Sequence, residues 1–358
     1  MSVSDLFEPL TLAHGPAMRN RFMLAPLTNQ QSEHDGSASP FDQEWIRQLA
    51  RSDYALIQTC AATVEAGGIA FERQLGVHSD AHLPGLTEMA TSIRRGGGLS
   101  AVQLHHAGHR ARPELGGLPA PASDSTVPGV KALTTEEVER IRDSFVAAAV
   151  RAERAGFDGV AVHGAFGWIL SEFMSPLLND RTDKYGGSTE NRARLTIEVI
   201  EGIRRACGPE FQIGWRLSVE RYGLRLEELR DITAEVLDRE LIDYLDLALW
   251  DSAQLVQEGA LRGQSMLGIF TGLPRKSVRV GTAGKIMSAQ RAGQLLDEGC
   301  DFVLIGRAGI LQRDFPRQVK ANPRYDSAQL PVTAQYLRTG GLSERFINYV
   351  SGWPSFVY

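Results

Sequence analysis

The sequence has little cysteine, and its few cysteines do not suggest a stapled or metal-bound scaffold. Cys60, Cys207 and Cys300 are widely spaced and odd in number, so we expect neither a disulfide framework nor a zinc knuckle. The adjacent His105 and His106 lie on a predicted strand, point to opposite faces and make a poor chelating pair. We therefore expect no metal site, and a reducing cytoplasm is the default location.

Positive charge is not in excess, and long hydrophobic runs are missing. Lys and Arg number 38 against 43 Asp and Glu, a net charge of −5, which argues against a nucleic-acid partner. No uninterrupted apolar run approaches the roughly 18 residues of a membrane helix. The acidic start, MSVSDLFEPL, lacks the basic and apolar regions of a signal peptide. We expect a cytoplasmic protein that binds neither nucleic acid nor membrane.

No glycine-rich dinucleotide turn follows the first apolar segment, which disfavours the doubly wound open sheet that is the alternative fold. Short apolar segments alternate with helix-like segments, and no linker or charge block divides them. The predicted strands are 22–26, 54–61, 99–106, 159–163, 212–218, 242–250, 277–284 and 301–309. Eight such units predict an α/β fold, a single (β/α)8 TIM barrel spanning 1–358 with decorated βα loops at its C-terminal mouth. The tail 328–358 is predicted to be irregular.

The loops after the seventh and eighth predicted strands read GTAGK and IGRAG. Barrels often bind phosphate with these two loops. Glycines let backbone N–H groups approach an anion, and Lys285 or Arg307 adds full charge. The alternative is two tight turns with solvated cations.

A single histidine, His163, ends the fourth predicted strand and opens a long polar loop that runs to Arg192. Barrel enzymes carry their catalytic side chains at this end of the strands. His163 is therefore either a catalytic residue or a satisfied core histidine.

Four segments together carry a resemblance to a known family: RNRFMLAPLT, VQLHHAG, HGAFGWILSEFMSPLLNDRTDKYGGSTENR and GCDFVLIGRA. With them, the chain from about residue 19 to 315 resembles the old yellow enzyme family of FMN-dependent NAD(P)H oxidoreductases. The resemblance implies a (β/α)8 barrel with FMN at its C-terminal mouth, NADH or NADPH as hydride donor and a small-molecule substrate. It leaves open whether the chain forms a homo-oligomer.

The resemblance also implies which residues bind FMN. Thr28 would donate to the flavin O4, Gln103 would bind the pyrimidine edge, and Arg216 would lie near N1 and O2. Ala61 would leave room for the ring, and Gly284, Gly306 and Arg307 would hold the phosphate. The cofactor-binding residues implied are Ala25, Pro26, Thr28, Ala61, Gln103, Arg216, Gly284, Lys285, Gly306 and Arg307.

At the substrate side the sequence departs from the family pattern. His163 matches the first of two donors to a substrate oxygen, but Phe166 stands where the second, a His or Asn, is usual. Trp168 replaces a proton-donating tyrosine, and Gln30 replaces a tyrosine of some bacterial members. We expect a narrow, apolar pocket formed by Thr28, Gln30, Phe166 and Trp168.

The implied reaction transfers hydride from NAD(P)H to FMN and then to the β-carbon of an activated alkene bearing a carbonyl or nitro group. Because an indole cannot act as an acid near neutral pH, the proton source is Tyr185, Tyr222, His105 or water. Two alternatives stay open. One is the same flavoenzyme fold with altered chemistry, such as dehydrogenation or desaturation, and the other is a flavin-free phosphate-binding barrel.

Two further segments have a hypothesis of their own. His109, Arg110 and Arg112 either bind the phosphates of the nicotinamide nucleotide or form a solvated loop. The aromatic tail, 353–358, is expected to cover the site of a neighbouring subunit, as it does in some members of the family that the chain resembles.

Overall fold

The computed structural model describes residues 2–358 and arranges eight parallel strands in one closed barrel. The strands are β1 Phe22–Leu24, β2 Leu56–Thr63, β3 Leu99–His105, β4 Gly159–Gly164, β5 Gln212–Leu217, β6 Tyr244–Ala248, β7 Arg279–Ala283 and β8 Phe302–Ile305. Each strand pairs with the next along the chain, and β8 returns to pair with β1. The predicted (β/α)8 barrel is confirmed, and the doubly wound alternative is wrong.

Helices surround the barrel and extend its ends. They are α1 Pro40–Ala50, α2 Leu83–Arg95, α3 Thr135–Arg154, α4 Ile169–Met174, α5 Thr189–Ala206, α6 Leu226–Asp238, α7 Met266–Thr271, α8 Ala289–Asp297, α9 Arg307–Leu311, α10 Phe315–Ala321, α11 Ala334–Thr339 and α12 Glu344–Ser351. Their starts follow local chemistry: the Thr134 hydroxyl accepts from the Glu137 amide and begins α3. Within residues 2–358, no helix has both the length and the hydropathy to cross a membrane.

The two ends of the barrel differ in how they are filled. At the N-terminal end, Leu10 and Met18 pair as an antiparallel bridge and are buried against Met23 and Phe302 inside the barrel. At the other end β1 stops before Pro26, as expected of a residue without an N–H for the ladder. The plugged bottom leaves the C-terminal mouth as the place for a site.

The C-terminal tail is more ordered than the sequence suggested, and the prediction of an irregular segment over 328–358 is wrong. It contains α11 and α12, and Ser343 caps α12 by accepting from the Phe346 amide. Phe346 is fully buried and meets Trp45 edge-on, with ring centroids 5.3 Å apart. Val332 pairs with Val357, and Phe356 is buried in the main hydrophobic core. The apolar face of α12 is too short for a clear periodic signal, which is why sequence reasoning missed it.

Candidate active site

The strand register brings predicted site residues together at the C-terminal mouth. Ala61 on β2 is the partner of Gln103 on β3. On the far side of β4, Arg216 pairs with His163 on one strand and Asp246 on the other. In a barrel, residues at equivalent heights on neighbouring strands form a ring around one opening. These five side chains therefore belong to one site.

His163 lies in this ring as a buried imidazole that is not hydrogen-bonded at Nδ1. Only 5% of the residue is exposed, and its Nδ1 has no hydrogen-bond partner within residues 2–358. Burial lowers the pKa of His163 well below its usual value, and the charges of His105 and Arg216 lower it further. The ring is therefore neutral and able to donate. A satisfied core histidine would have its buried nitrogen paired, so this geometry disfavours the core interpretation.

A second buried histidine, His105, lies beside the first. The ring centroids of His105 and His163 are 5.7 Å apart, and Gln74 contacts His105 Nδ1 at 3.0 Å. Burial lowers the pKa of His105 well below its usual value. Gln74 was missed by sequence reasoning because it lies in a loop with no motif to mark it.

Arg216 forms a buried ion pair with Asp246, its neighbour on β6. Burial raises the pKa of the Asp246 carboxyl, although Arg216 opposes that shift. The ring of Phe166 covers the guanidinium, with its centroid 5.6 Å away. Asp246 was also missed, although an acidic residue inside the apolar β6 segment was a signal that could have been read.

Phe166 and Trp168 form one wall of the mouth. Phe166 has a left-handed backbone (φ 58°) that is held from both sides: its N–H donates to Ser218 Oγ at 3.0 Å, and its carbonyl accepts from Arg110 at 2.7 Å. The Arg110 guanidinium also lies 4.0 Å from the Trp168 ring centroid. Trp168 meets His105 edge-on at 4.7 Å. Arg110 therefore contacts both residues of this wall and stabilises their positions.

The two predicted tyrosines have different positions. The Tyr185 hydroxyl donates to Glu198 on α5 at 2.7 Å, and its ring packs against Phe173. Burial and the Glu198 carboxylate raise the Tyr185 pKa. The structure thus corrects the expectation for Tyr185, because its loop turns the side chain toward the outer helices. Tyr222 borders the wall instead, since a Cβ at Gly167 would lie 2.7 Å from its ring.

The loop after β1 meets the C-terminal helix α12. Thr28 and Gln30 are half-buried in this loop, and Gln30 has a left-handed φ of 53°. Burial raises the pKa of Tyr349 on α12, and hydrogen bonding with Trp353 and Thr28 opposes that shift. Arg345 anchors α12 by donating to the carbonyl of Gln31. Sequence reasoning missed Tyr349, since nothing in its surroundings links it to the first strand.

After β7 the chain makes a tight turn. A Cβ at Gly284 (φ 139°) would lie 2.7 Å from the Ser252 amide nitrogen, so glycine is required there. Lys285 follows with a left-handed φ of 51°, and its Nζ lies 2.9 Å from Asp251. The Lys285 charge is thus paired with a carboxylate rather than free for an anion. In the described part of the chain, no cluster of three or more His, Cys, Asp or Glu could hold a metal ion.

Two observations show that the residues fit the FMN implied by the resemblance. Buried Gln103 has an Nε2 without a hydrogen-bond partner anywhere in the described chain, as expected of an amide that binds a flavin edge. A Cβ at Gly306 would meet nothing nearer than the Ala25 Cβ at 3.9 Å, so a phosphate could approach that backbone. Pro26 is half-buried beside Ala25, and Arg307 begins α9 directly after Gly306.

Known proteins share this architecture. The family model described as NADH:flavin oxidoreductase / NADH oxidase matches residues 5–326. A probable NADH-dependent flavin oxidoreductase of Bacillus subtilis is 33% identical over 332 residues, which cover 88% of this chain and 87% of the relative. An NADPH dehydrogenase of Bacillus pumilus is 32% identical over 334 residues, with coverage of 88% and 94%. The structure of an old yellow enzyme homologue from Zymomonas mobilis matches with a TM-score of 0.79 and 25% identity, over 90% of this chain and 94% of that one.

The barrel fold, the residues at its C-terminal mouth and the known relatives all indicate the same family. The chain belongs to the old yellow enzyme family of NADH:flavin oxidoreductases and is an FMN-dependent enzyme with NADH or NADPH as its hydride donor.

Proposed function

We propose that the enzyme reduces a carbon–carbon double bond conjugated to a carbonyl or nitro group in an apolar or aromatic-like substrate. The observation that carries this proposal is His163, a neutral imidazole at the mouth whose buried Nδ1 has no partner within residues 2–358. The wall of Phe166 and Trp168 favours a flat, apolar substrate over a polar one. Family membership rules out the flavin-free barrel as an alternative.

The FMN would be held by residues at the ends of six strands. When bound, FMN would supply the chemistry of hydride transfer from NAD(P)H to the substrate β-carbon. Arg216 would favour the reduced, more negative form of the cofactor. The residues that would bind FMN are Ala25, Pro26, Thr28, Ala61, Gln103, Arg216, Gly284, Gly306 and Arg307, with Lys285 contributing its backbone.

At the substrate, His163 would donate a hydrogen bond to the carbonyl or nitro oxygen. Negative charge develops on that oxygen when hydride reaches the β-carbon, and a donor in a dry site stabilises it strongly. The proton that completes the reduction would come from Tyr222 or from water. Trp168 cannot supply it, because an indole N–H is not acidic near neutral pH.

A second candidate is substrate dehydrogenation, and Phe166 favours it. An apolar ring stands where a second oxygen donor is usual, which reduces the stabilisation of a developing oxyanion. Losing one such donor typically costs about 3 kcal/mol of transition-state stabilisation. Oxidation of an apolar substrate would need that donor less.

Anaerobic reoxidation of the NAD(P)H-reduced enzyme distinguishes the two. We expect cyclohexenone or N-substituted maleimides to reoxidise the flavin, and His163→Ala to slow this step by about 100-fold or more. Tyr185→Phe is the matched control, since its hydroxyl is engaged with Glu198 outside the site. Absence of reoxidation by any activated alkene would contradict the proposal and favour dehydrogenation. Full turnover by His163→Ala would contradict the role of His163.

A further inference from the structure

Phe166 leaves the substrate oxygen with one donor, and the neighbouring strand offers another. His105 ends β3 and is fully buried, with its ring beside that of His163. Its Nε2 is buried and has no hydrogen-bond partner among the residues that the structure describes. Leaving a buried nitrogen unpaired is costly, so this group calls for an explanation.

Gln74 determines which nitrogen of His105 carries the proton. The Gln74 Oε1 accepts from the backbone N–H groups of Ala70 at 2.9 Å and Phe71 at 3.3 Å, which fixes the orientation of the amide. Its Nε2 must therefore donate, and it does so to the Ala61 carbonyl and to His105 Nδ1. A neutral imidazole that accepts at Nδ1 carries its proton at Nε2. His105 is thus a donor at its unpaired nitrogen.

The fold also determines where that donor points. Gln74, whose amide also donates to the Ala61 carbonyl on β2, contacts His105 from the β2 side, and β3 lies between β2 and β4 in the barrel. Because the two nitrogens lie on different edges of the ring, Nε2 is directed away from β2. That is the side of β4, which carries His163.

The distance between the rings allows both to bind one atom. An ordinary N–H···O bond places the oxygen about 4 Å from the imidazole centroid. Rings 5.7 Å apart can then share an oxygen with an angle of about 90° between the two donors. We propose that His105 Nε2–H is the second donor that, together with His163, binds the substrate oxygen, and that Gln74 is its positioning residue. This inference rests on the proposed alkene reduction.

Phenol binding to the FMN-loaded, oxidised enzyme tests the donor pair without turnover. Titration with 4-chlorophenol is followed by the long-wavelength absorbance of a phenolate stacked on flavin. We expect His105→Phe, which keeps a ring and removes the donor, to weaken binding at least tenfold, and we expect the same of His163→Phe. His105→Gln restores an N–H and should lose less than His105→Phe.

The adjacent His106 provides the control, since its Nε2 faces Glu65 rather than the site. His106→Asn should bind phenol within twofold of the wild type. Wild-type affinity in His105→Phe would overturn the proposal. If that variant fails to fold, the ¹⁵N shifts of the wild-type imidazoles decide: a protonated Nε2 that responds to phenol supports the proposal, and an unprotonated Nε2 overturns it.

The two proposals can fail separately. Loss of phenol affinity in both histidine variants, without alkene turnover by the wild type, would contradict the proposed function and leave the donor pair standing. If the wild type turns over alkenes and His105→Phe binds phenol as tightly as the wild type, the donor pair alone would be contradicted.

Discussion

At the scale of single residues, charge at the mouth is balanced in a way that the family resemblance did not imply. Arg216 is almost fully buried, and its ion-pair partner, Asp246, is buried as well. A lone buried cation would be costly, and a buried counter-charge offsets much of that cost. The pair therefore weakens the positive field that Arg216 would present to the flavin.

Asp246→Asn should raise the reduction potential of the bound FMN. The amide keeps the shape of the carboxylate but removes its charge, so the uncompensated Arg216 stabilises the reduced flavin. We expect a rise on the order of 30–60 mV, since 30 mV corresponds to about 1.4 kcal/mol for a two-electron couple. Equilibration with a reference dye under anaerobic conditions measures the potential.

Asp243→Asn is the matched control for this prediction. Asp243 is equally buried and accepts from Arg204 at 2.8 Å, but it precedes β6 at the closed end of the barrel. The Asp243→Asn substitution should lower the stability of the fold and leave the reduction potential of the bound FMN unchanged. Equal potentials in both variants and the wild type would show that Asp246 does not tune the flavin.

Site residues can be predicted from the sequence where they lie at the C-terminal end of a strand. His163 and Arg216 could be located because a barrel collects the C-terminal ends of its strands at one mouth. Gln74 and Tyr349 could not, because each reaches the site through a contact between segments distant in sequence. Tyr185 was misassigned because its loop folds back onto α5.

At the scale of elements, prediction succeeds where a segment is long or repeats a pattern. The strands are buried on both faces and read as continuous apolar runs, so their order and number followed from the sequence. α3 was recognisable from its capping box. α11 and α12 were not, because six and eight residues give too few turns for a periodic signal.

Phe346→Ala should detach α12 from the barrel. Its ring is fully buried against Trp45, and removing a buried Phe side chain typically costs about 3–5 kcal/mol. We expect a lower melting temperature and faster proteolytic cleavage between α11 and α12. Tyr358→Ala is the control, because that side chain is 77% exposed. Equal cleavage of Phe346→Ala and wild type would show that α12 is held by other contacts.

At the scale of the whole molecule, the barrel keeps its two site histidines neutral by enclosing them. Burial lowers the pKa of His105 and of His163 well below the ordinary value of 6.5. The unfolded chain therefore binds protons that the folded chain does not, and the difference appears once the pH falls below about 6.5. Keeping these two donors neutral therefore lowers the free energy of unfolding in acid.

Acidification from pH 7 to pH 5 should therefore destabilise the wild type more than the double variant His105→Phe/His163→Phe. Each histidine contributes a loss of up to about 1.4 kcal/mol per pH unit below 6.5, and denaturant unfolding at each pH measures it. Hydrogen bonds lower the pKa of the Glu65 carboxyl, against the effect of burial, and that of Asp183 to about 2, so these two groups lose their contribution only in stronger acid and do not mimic this effect. Exposed His34→Gln should keep the wild-type slope. Equal slopes in the wild type and the double variant would mean that both imidazoles take up protons in the folded enzyme, and neutral donors would then be the wrong description of the site.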